Sequence, residues 1–394
     1  MNYSPHRALN IEDLRLMAKR RLTKALFEFC DRGSEDEVAM RNNRSALDNI
    51  KLIPRILNDV SDRNTEINLF GKKQSLPLII GPTGPAGFVW YRGEIALAKA
   101  ADKAGIPFTL SSTGNTPMET IKTLGGGTQW YQLYVWRDID AAMVTVKRAL
   151  DAGFEALLLT VDSPTYNNRE FDTRNGVVFP PRITIRGSID GLLHPRWLIG
   201  TLGRYVLADA HMPKFPNVYI PESYSSTDKN NFLVRNDTLS WDFLKRLREA
   251  WPRTLIVKGI LHPEDATRCA DCGVDGIIVS NHAGNTNDAA IAPIQVLPAI
   301  VSAVSDRLTV IVDSGFRRGS DVIKGLAMGA DAVAIGRATL YGVGAAGEAG
   351  ASRALSILSA EVHRTMGVMG LADLNSLVRD HIVLPSKLYS SDRL

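Results

Sequence analysis

His282 is the residue whose type and position most directly suggest chemistry. It follows a short apolar segment in the sequence GIIVSNHAGN, and an imidazole can act as a general base near neutral pH. Asp162 ends another apolar segment, EALLLTVD, where its carboxylate could orient the imidazole through the second ring nitrogen. A lone histidine is more often structural, but this one lies at a predicted strand end before a flexible Ala-Gly pair. We predict that His282 removes a substrate proton and that Asp162 supports it.

Lys258 ends the apolar segment TLIVKG, where an ammonium group needs a partner anion. Three interpretations are open: a Schiff-base lysine, a structural ion pair, or a positive charge beside an electron-rich cofactor ring. Gln132 and Thr160 lie at the ends of two further apolar segments and could hydrogen-bond the polar edge of such a ring. A flavin needs such donors as it gains charge, so the combination favours a flavin over a Schiff base.

Two glycine-arginine motifs near the C-terminus predict a phosphate site, namely DSGFRRGSD (313–321) and IGRA (335–338). Glycine lets backbone N–H groups approach an anion, and the two motifs follow the last two predicted strands. A phosphate-bearing cofactor is therefore expected. Arg169, seven residues after Asp162, could hold a substrate carboxylate or carbonyl, and a surface ion pair is its alternative role.

A repeated unit positions these residues: a short β-branched apolar segment, then an amphipathic stretch ending in a small-residue turn. Such helical stretches occupy 93–105, 138–153, 262–273 and 319–330. Eight units predict a (β/α)8 barrel with reactive residues at the carboxyl ends of its strands, and a doubly wound open sheet is the alternative. The predicted strands are 76–83, 106–112, 128–135, 155–162, 254–259, 276–282, 308–315 and 331–337.

The remaining segments predict the domain organisation. Residues 1–75 form an N-terminal helical segment, in which 13–30 is expected to be one amphipathic helix that closes the barrel bottom. The barrel takes 76–385, and 386–394 is a tail. An insertion at 177–235 contains LLHPRWLIGTLGRYVL, which mixes large apolar residues with arginines. We expect a lid, an oligomer contact or a membrane-surface segment there.

Composition narrows the class of protein. The 394 residues are 45% hydrophobic and 22% charged, as is typical of a soluble globular chain, and a net charge of +4 without a basic block argues against nucleic acid. Cys269 and Cys272 form a single C-x-x-C pair and Cys30 stands apart, so no metal site is predicted. The first ten residues lack a signal-like apolar segment, and eighteen uninterrupted apolar residues occur nowhere. We expect a cytoplasmic protein, with membrane-surface association as an option.

In their order and spacing, these motifs resemble the FMN-dependent α-hydroxy acid oxidase and dehydrogenase family, over about residues 11–385. Glycolate oxidase, lactate dehydrogenase and mandelate dehydrogenase are members. The resemblance implies FMN, a small-molecule substrate, a homo-oligomer, often a tetramer, and an electron acceptor that is oxygen, a quinone or a cytochrome. Gly84 resembles the mandelate dehydrogenase version, which points towards a non-oxygen acceptor. The motifs are LPLIIGPTG, QLYV, LTVD with Arg169-Glu170, VKGIL, VSNH, DSGFRRGSDVIKGLAMGADAV and IGRATLYG.

The resemblance also implies a role for each site residue. His282 would act as the base with Asp162 in support, Tyr134 and Arg169 would contact the substrate, and Lys258 would face the N1 side of the flavin. FMN would be held by Pro82, Thr83, Gly84, Ser111, Gln132, Thr160, Lys258, Ser280, Asp313, Ser314, Gly315, Phe316, Arg317, Gly336 and Arg337.

Two departures from the family concern the substrate. The family's HGGRQ, whose arginine clamps the substrate carboxylate, is HAGNT here, with Asn285 in place of the arginine. The family's KMVYDY supplies a tyrosine to the same carboxylate, whereas KALFEF places Phe29 there. Since a charged hydrogen bond is worth about 1.5–3 kcal/mol, we predict a substrate without a free carboxylate, with Asn285 and Phe29 against a neutral or bulkier group.

Three further hypotheses accompany that prediction. The substrate could be an ordinary 2-hydroxy acid, or the protein could bind flavin without catalysis. The retained arginine after LTVD, the asparagine after the histidine loop and PRWL at 195–198 also resemble the branch that oxidises the peptide-derived amine precursor of mycofactocin. Here AGNTND departs from that branch's GGNNLD.

Overall fold

The computed structural model describes residues 4–177, 185–220 and 236–384. Eight parallel strands close into a barrel, in which each strand pairs with the next along the chain and the last pairs with the first. The prediction of a (β/α)8 barrel is confirmed, and the open sheet is wrong. The strands, numbered along the chain, are β1 (Lys51–Leu52), β2 (Ile67–Leu69), β3 (Lys72–Gln74), the barrel strands β4 (Leu78–Ile80), β5 (Phe108–Ser111), β6 (Gln129–Leu133), β7 (Ala156–Thr160), β8 (Thr254–Ile260), β9 (Gly276–Val279), β10 (Thr309–Val312) and β11 (Ala332–Ile335), and β12 (Ile382–Val383).

Helices surround the barrel. The longest, Arg337–Met369, breaks at Ala346 and Gly347, where the backbone is non-helical. Within the described residues the α-helices are α1 (Ile11–Arg21), α2 (Lys24–Asp31), α3 (Val38–Asn49), α4 (Ala86–Val89), α5 (Gly93–Lys103), α6 (Met118–Leu124), α7 (Ile139–Asp151), α8 (Glu170–Arg174), α9 (Ile185–Leu193), α10 (Pro195–Trp197), α11 (Trp241–Ala250), α12 (Pro263–Asp271), α13 (Pro293–Val304), α14 (Gly319–Ala327) and α15 (Arg337–Met369).

Alternation along the strands divides the core into two layers, because successive side chains point to opposite sides of a strand. One set fills the barrel interior, including Ile79, Leu158 and Ile256, which are fully buried. The other set packs outward beneath the helices. The apolar side chains of the first set fill the barrel interior. The polar side chains that follow the strands lie at its mouth.

The barrel bottom is closed by the hairpin of β2 and β3. Phe70, at its turn, packs edge-on against Trp130, with ring centroids 5.7 Å apart. The prediction that residues 13–30 form one helix closing the bottom is wrong: the helix ends at Arg21 and α2 begins after Thr23, whose side-chain oxygen accepts a hydrogen bond from Leu26 N. The end of α2 instead reaches the mouth, because the Cys30 carbonyl accepts a hydrogen bond from Arg337.

The insertion after β7 is only partly described, since 178–184 and 221–235 lie outside the described residues. Its visible part includes α9, α10 and two π-helical turns, Leu198–Gly203 and Tyr205–Asp209. Arg21 of α1 ties it to the barrel by donating to Thr201 Oγ1 at 2.8 Å and to the Val89 carbonyl at 2.9 Å. Burial lowers the pKa of Arg21 to about 10.

In the part of the chain that the structure describes, no helix has the length and apolar character needed to cross a bilayer.

Candidate active site

His282, Asp162 and Tyr134 meet at the mouth of the barrel. His282 Nδ1 lies 2.8 Å from Asp162 Oδ1, and His282 Nε2 lies 3.1 Å from the Tyr134 hydroxyl. Burial raises the pKa of Asp162, but the neighbouring His282 and Lys258 outweigh it and hold the pKa below its usual value. An ionised Asp162 accepts the Nδ1 proton, which leaves Nε2 as the nitrogen that can take a proton.

The histidine loop has a strained backbone. His282 and Ala283 both have φ of 55°, in the left-handed region that costs non-glycine residues about 1–3 kcal/mol each. Ser280 Oγ accepts from His282 N at 3.0 Å, and Ser314 Oγ accepts from Ala283 N at the same distance. These two serine hydroxyls, both at neighbouring strand ends, hold the backbone of residues 282 and 283 in this conformation.

Lys258 is buried among acceptors. Its Nζ donates to Ser280 Oγ at 2.7 Å and lies 3.3 Å from Asp313 Oδ2 and 4.0 Å from Asp162 Oδ2. Burial lowers its pKa, but the two carboxylates outweigh burial and raise the pKa above its usual value. A Schiff-base lysine must lose its proton before it reacts, so this charged lysine favours the other two interpretations.

Polar side chains from successive strands line up beside Lys258. Gln132 donates to Thr160 Oγ1 at 2.9 Å, and Ser111 donates to Gln132 Oε1 at 3.0 Å. Thr83 Oγ1 is buried without a hydrogen-bond partner among the described residues. A Cβ atom at Gly84 would come within 2.6 Å of Thr113 Oγ1, so a larger residue there would require the Thr113 side chain to shift. An unsatisfied buried hydroxyl beside a row of amide and hydroxyl groups fits the polar edge of a flavin.

The phosphate end lies at the start of α15. The first N–H groups of a helix have no intrahelical acceptor, and Gly336 and Arg337 begin this one. Arg317 lies against the same helix, donating to the Tyr341 hydroxyl at 3.4 Å, and Gly315 before it has φ of 90°. The Phe316 side chain is buried in the core, so only its backbone can serve a ligand. This donor set fits a phosphate group, and together with the polar row it fits FMN.

Arg169, Asn285 and Phe29 contact one another beside the histidine loop. Arg169 donates to Asn285 Oδ1 at 2.7 Å and to the Phe29 carbonyl at 2.6 Å, and its guanidinium lies 4.9 Å from the centre of the Phe29 ring. Asn285 Nδ2 donates to the His282 carbonyl at 2.8 Å. Both the oxygen and the nitrogen of the Asn285 amide therefore hydrogen-bond protein groups. The predicted contact of Asn285 with the substrate stays a prediction.

Sequence reasoning missed two partnerships. Asp172 accepts from Arg169 Nε at 2.7 Å, and the R-x-x-D spacing on one helical turn was a usable signal. Asn43 of α3 and Asn281 exchange side-chain hydrogen bonds of 2.9 and 2.8 Å, both fully buried. They are 238 residues apart, and no local pattern links them.

An eight-stranded barrel with a histidine–aspartate pair, a charged buried lysine and a phosphate-type helix start at one mouth defines a flavin-dependent oxidoreductase of the barrel class. The chain belongs to the FMN-dependent dehydrogenase family, whose model matches residues 18–384. The predicted family, cofactor and enzyme class are confirmed.

The relatives are mandelate and lactate enzymes. The chain is 40% identical to (S)-mandelate dehydrogenase of Pseudomonas putida, over 95% of this chain and 93% of the relative. It is 35% identical to L-lactate dehydrogenase of Yersinia pestis, over 95% of this chain and 98% of the relative. These relatives favour the ordinary 2-hydroxy acid alternative over the predicted substrate without a free carboxylate. The mycofactocin resemblance stays a prediction.

Solved structures agree in fold. The crystal structure of the monotopic membrane protein (S)-mandelate dehydrogenase has a TM-score of 0.90 at 40% identity and covers 96% of this chain and 100% of its own. A structure of mandelate oxidase in which an arginine is replaced by leucine, with 2-hydroxy-phenylacetamide, has a TM-score of 0.80 at 33% identity and covers 96% and 99%.

Proposed function

We propose that this protein oxidises a small 2-hydroxy acid to the 2-oxo acid with FMN as its electron acceptor. The observation that carries the proposal is the imidazole of His282, held by Asp162 at 2.8 Å with its other nitrogen turned to Tyr134. Similarity to mandelate and lactate dehydrogenases supports the same reaction. The general test is anaerobic bleaching of the flavin absorbance by a panel of hydroxy acids, their esters and amides, and cyclic amines.

Each side chain has a distinct task in this proposal. Bound FMN supplies the acceptor for the hydride equivalent that leaves the substrate carbon. His282 Nε2 takes the hydroxyl proton, and the Asp162 carboxylate stabilises the imidazolium that forms. The Tyr134 hydroxyl, 3.1 Å from Nε2, is placed to hydrogen-bond the same substrate oxygen. The Lys258 ammonium offsets negative charge on the cofactor side.

A neutral derivative of a 2-hydroxy acid, such as an amide or ester, is a second candidate substrate. It is favoured by Asn285 and Phe29, because neither side chain supplies the charge or hydroxyl that a carboxylate would bind. The structure of the mandelate oxidase variant with 2-hydroxy-phenylacetamide contains such an amide in a homologous protein.

The double variant Asn285→Arg with Phe29→Tyr separates the two candidates. If the missing contacts disfavour a carboxylate, restoring two of them should raise kcat/KM for (S)-mandelate at least 100-fold, taking each as about 1.5–3 kcal/mol. The matched control is (S)-mandelamide, whose kcat/KM should change less than fivefold. An unchanged mandelate value would contradict the argument that these missing contacts disfavour a carboxylate.

We also propose that the insertion rests on a membrane surface. Four of its aliphatic side chains are 67–85% exposed, and one relative of known structure is a monotopic membrane protein. Exposed leucines beside arginines suit the boundary between acyl chains and headgroups. The side chains are Leu192, Leu193, Ile199 and Leu207.

Charged substitutions in the insertion should release the protein from lipid. Leu193→Glu with Ile199→Glu is expected to lower binding to phosphatidylcholine–phosphatidylglycerol vesicles at least tenfold, since burying a large aliphatic side chain is worth about 1.5–3 kcal/mol. Vesicle flotation measures this. The control is Leu57→Glu, which is 99% exposed outside the insertion and should bind like the unaltered protein. Equal loss in both variants would contradict the assignment.

A further inference from the structure

The guanidinium of Arg169 is already occupied by protein groups. Asp172 accepts from Nε at 2.7 Å and from Nη2 at 3.4 Å, the Phe29 carbonyl accepts from Nη2 at 2.6 Å, and Asn285 Oδ1 accepts from Nη1 at 2.7 Å. A guanidinium has five N–H groups, and these contacts use Nε and at least one N–H on each terminal nitrogen. A substrate carboxylate would therefore have to share or displace existing partners.

For the binding of an anionic substrate group, the counter-ion beside Arg169 matters more than the number of its N–H groups that remain free. The Arg169 and Asp172 side chains are 16% and 14% exposed, so their ion pair is only weakly screened by solvent. On the other side of Asn285, Arg337 donates to Oδ1 at 3.4 Å and to the Ala283 carbonyl at 3.0 Å. Its guanidinium also donates to the Cys30 and Arg32 carbonyls at the end of α2, at 3.2 and 3.1 Å. Of the two guanidinium groups that contact Asn285 Oδ1, Arg169 thus has a carboxylate beside it, and Asn285 adds no charge.

We infer that Asp172 is a specificity-determining residue: as the fixed counter-ion of Arg169, it weakens the hold of the site on an anionic substituent relative to an uncharged one of the same shape. This inference rests on the proposed function, which supplies the substrate class. The opposite role is that Asp172 only orients Arg169 for a carboxylate. The two roles predict opposite signs, because removing a counter-ion strengthens anion binding whereas losing an orienting group weakens it.

The experiment compares benzoylformate with benzoylformamide, an anion and a neutral amide of one shape. Their dissociation constants for the oxidised holoenzyme are measured from the perturbation of the flavin absorbance. Asp172→Asn should lower the Kd of benzoylformate about tenfold and change that of the amide less than twofold. Asp172→Glu, which keeps the charge, should retain the original ratio of the two constants.

Glu170→Gln is the matched control for charge. Glu170 lies on the same short helix and pairs with Arg174 near the surface, so its loss removes an equal charge without freeing Arg169. It should leave both constants unchanged. Weaker benzoylformate binding in Asp172→Asn, equal shifts for both ligands, or a like effect of Glu170→Gln would overturn the inference.

The experiment distinguishes failure of the proposed function from failure of this inference about Asp172. Both ligands are titrated without turnover, so the ratio of their constants can be obtained even if no hydroxy acid, ester or amide bleaches the flavin. Bleaching by substrates with an unchanged ratio in Asp172→Asn would retain the function and reject the specificity role.

Discussion

His282→Asn is expected to slow anaerobic flavin reduction by about three orders of magnitude, within the range of about 10²–10⁴ that general-base catalysis contributes. The substitution removes the Nε2 acceptor that faces Tyr134 and the Nδ1 contact with Asp162. Asparagine is chosen because position 282 has φ of 55°, which asparagine tolerates better than most side chains. Stopped-flow absorbance with the best substrate of the panel measures the rate.

The purified variant should remain yellow, because the proposed FMN contacts lie on other side chains. His262→Asn is the matched control: His262 is exposed, and its side chain caps the start of α12 by accepting a hydrogen bond from Glu264 N. Its reduction rate should equal that of the unaltered protein. A rate within tenfold of the original for His282→Asn would mean that another group takes the proton.

Lys258→Met is expected to lower the free energy of unfolding by about 3–5 kcal/mol at neutral pH, the usual cost of breaking a buried ion pair from one side. Removing the ammonium leaves Asp313 and Asp162, which lie 3.3 and 4.0 Å from it, without their shared cation. Urea unfolding of the flavin-free protein measures the loss. In the flavin-bound protein, the same variant should have a lower midpoint potential, since a positive charge that stabilises reduced flavin is gone.

The part of the pH dependence of stability that comes from Asp162 should become weaker in this variant. With Lys258 present, the pKa of Asp162 is below its usual value, so its contribution to stability exists above the unfolded pKa and falls as pH falls. Without the lysine, His282 still opposes the effect of burial on this pKa but Lys258 does not, so the pKa of Asp162 should lie higher in Lys258→Met and the variant should lose less stability than the unaltered protein as pH falls. Lys324→Met is the control, because Lys324 is also buried but donates to the Leu47 carbonyl. It should lose only about 1 kcal/mol, and equal losses in both variants would contradict the argument.

Local patterns explain why the barrel and much of its mouth could be predicted. A parallel strand places its last polar residue at one end of the barrel, so the alternation of apolar segments with polar endings assigns His282, Asp162 and Lys258 to one region of the fold. Such patterns do not give the distances between these side chains. The sequence pattern identified Lys258 as needing an anion but did not show that Asp313 lies nearer than Asp162.

Other features depend on contacts between distant segments. The break between α1 and α2 and the placement of the α2 end at the mouth follow from tertiary packing, which overrides helical periodicity. The amide pair of Asn43 and Asn281 likewise has no signal within either segment. Asn285 is an intermediate case: its difference from the family was visible, but its contacts with Arg169 and the His282 carbonyl required the three-dimensional structure.

The contact between Arg21 and Thr201 constrains protein engineering. Replacing the insertion with a short linker would remove Thr201 and leave Arg21 a buried cation with carbonyl partners such as that of Val89 and the face of the Trp90 ring. Grafting the insertion onto another barrel would leave the Thr201 hydroxyl without the arginine that donates to it. The arginine and the insertion therefore form one transferable unit, and a shortened version should carry an apolar residue at position 21.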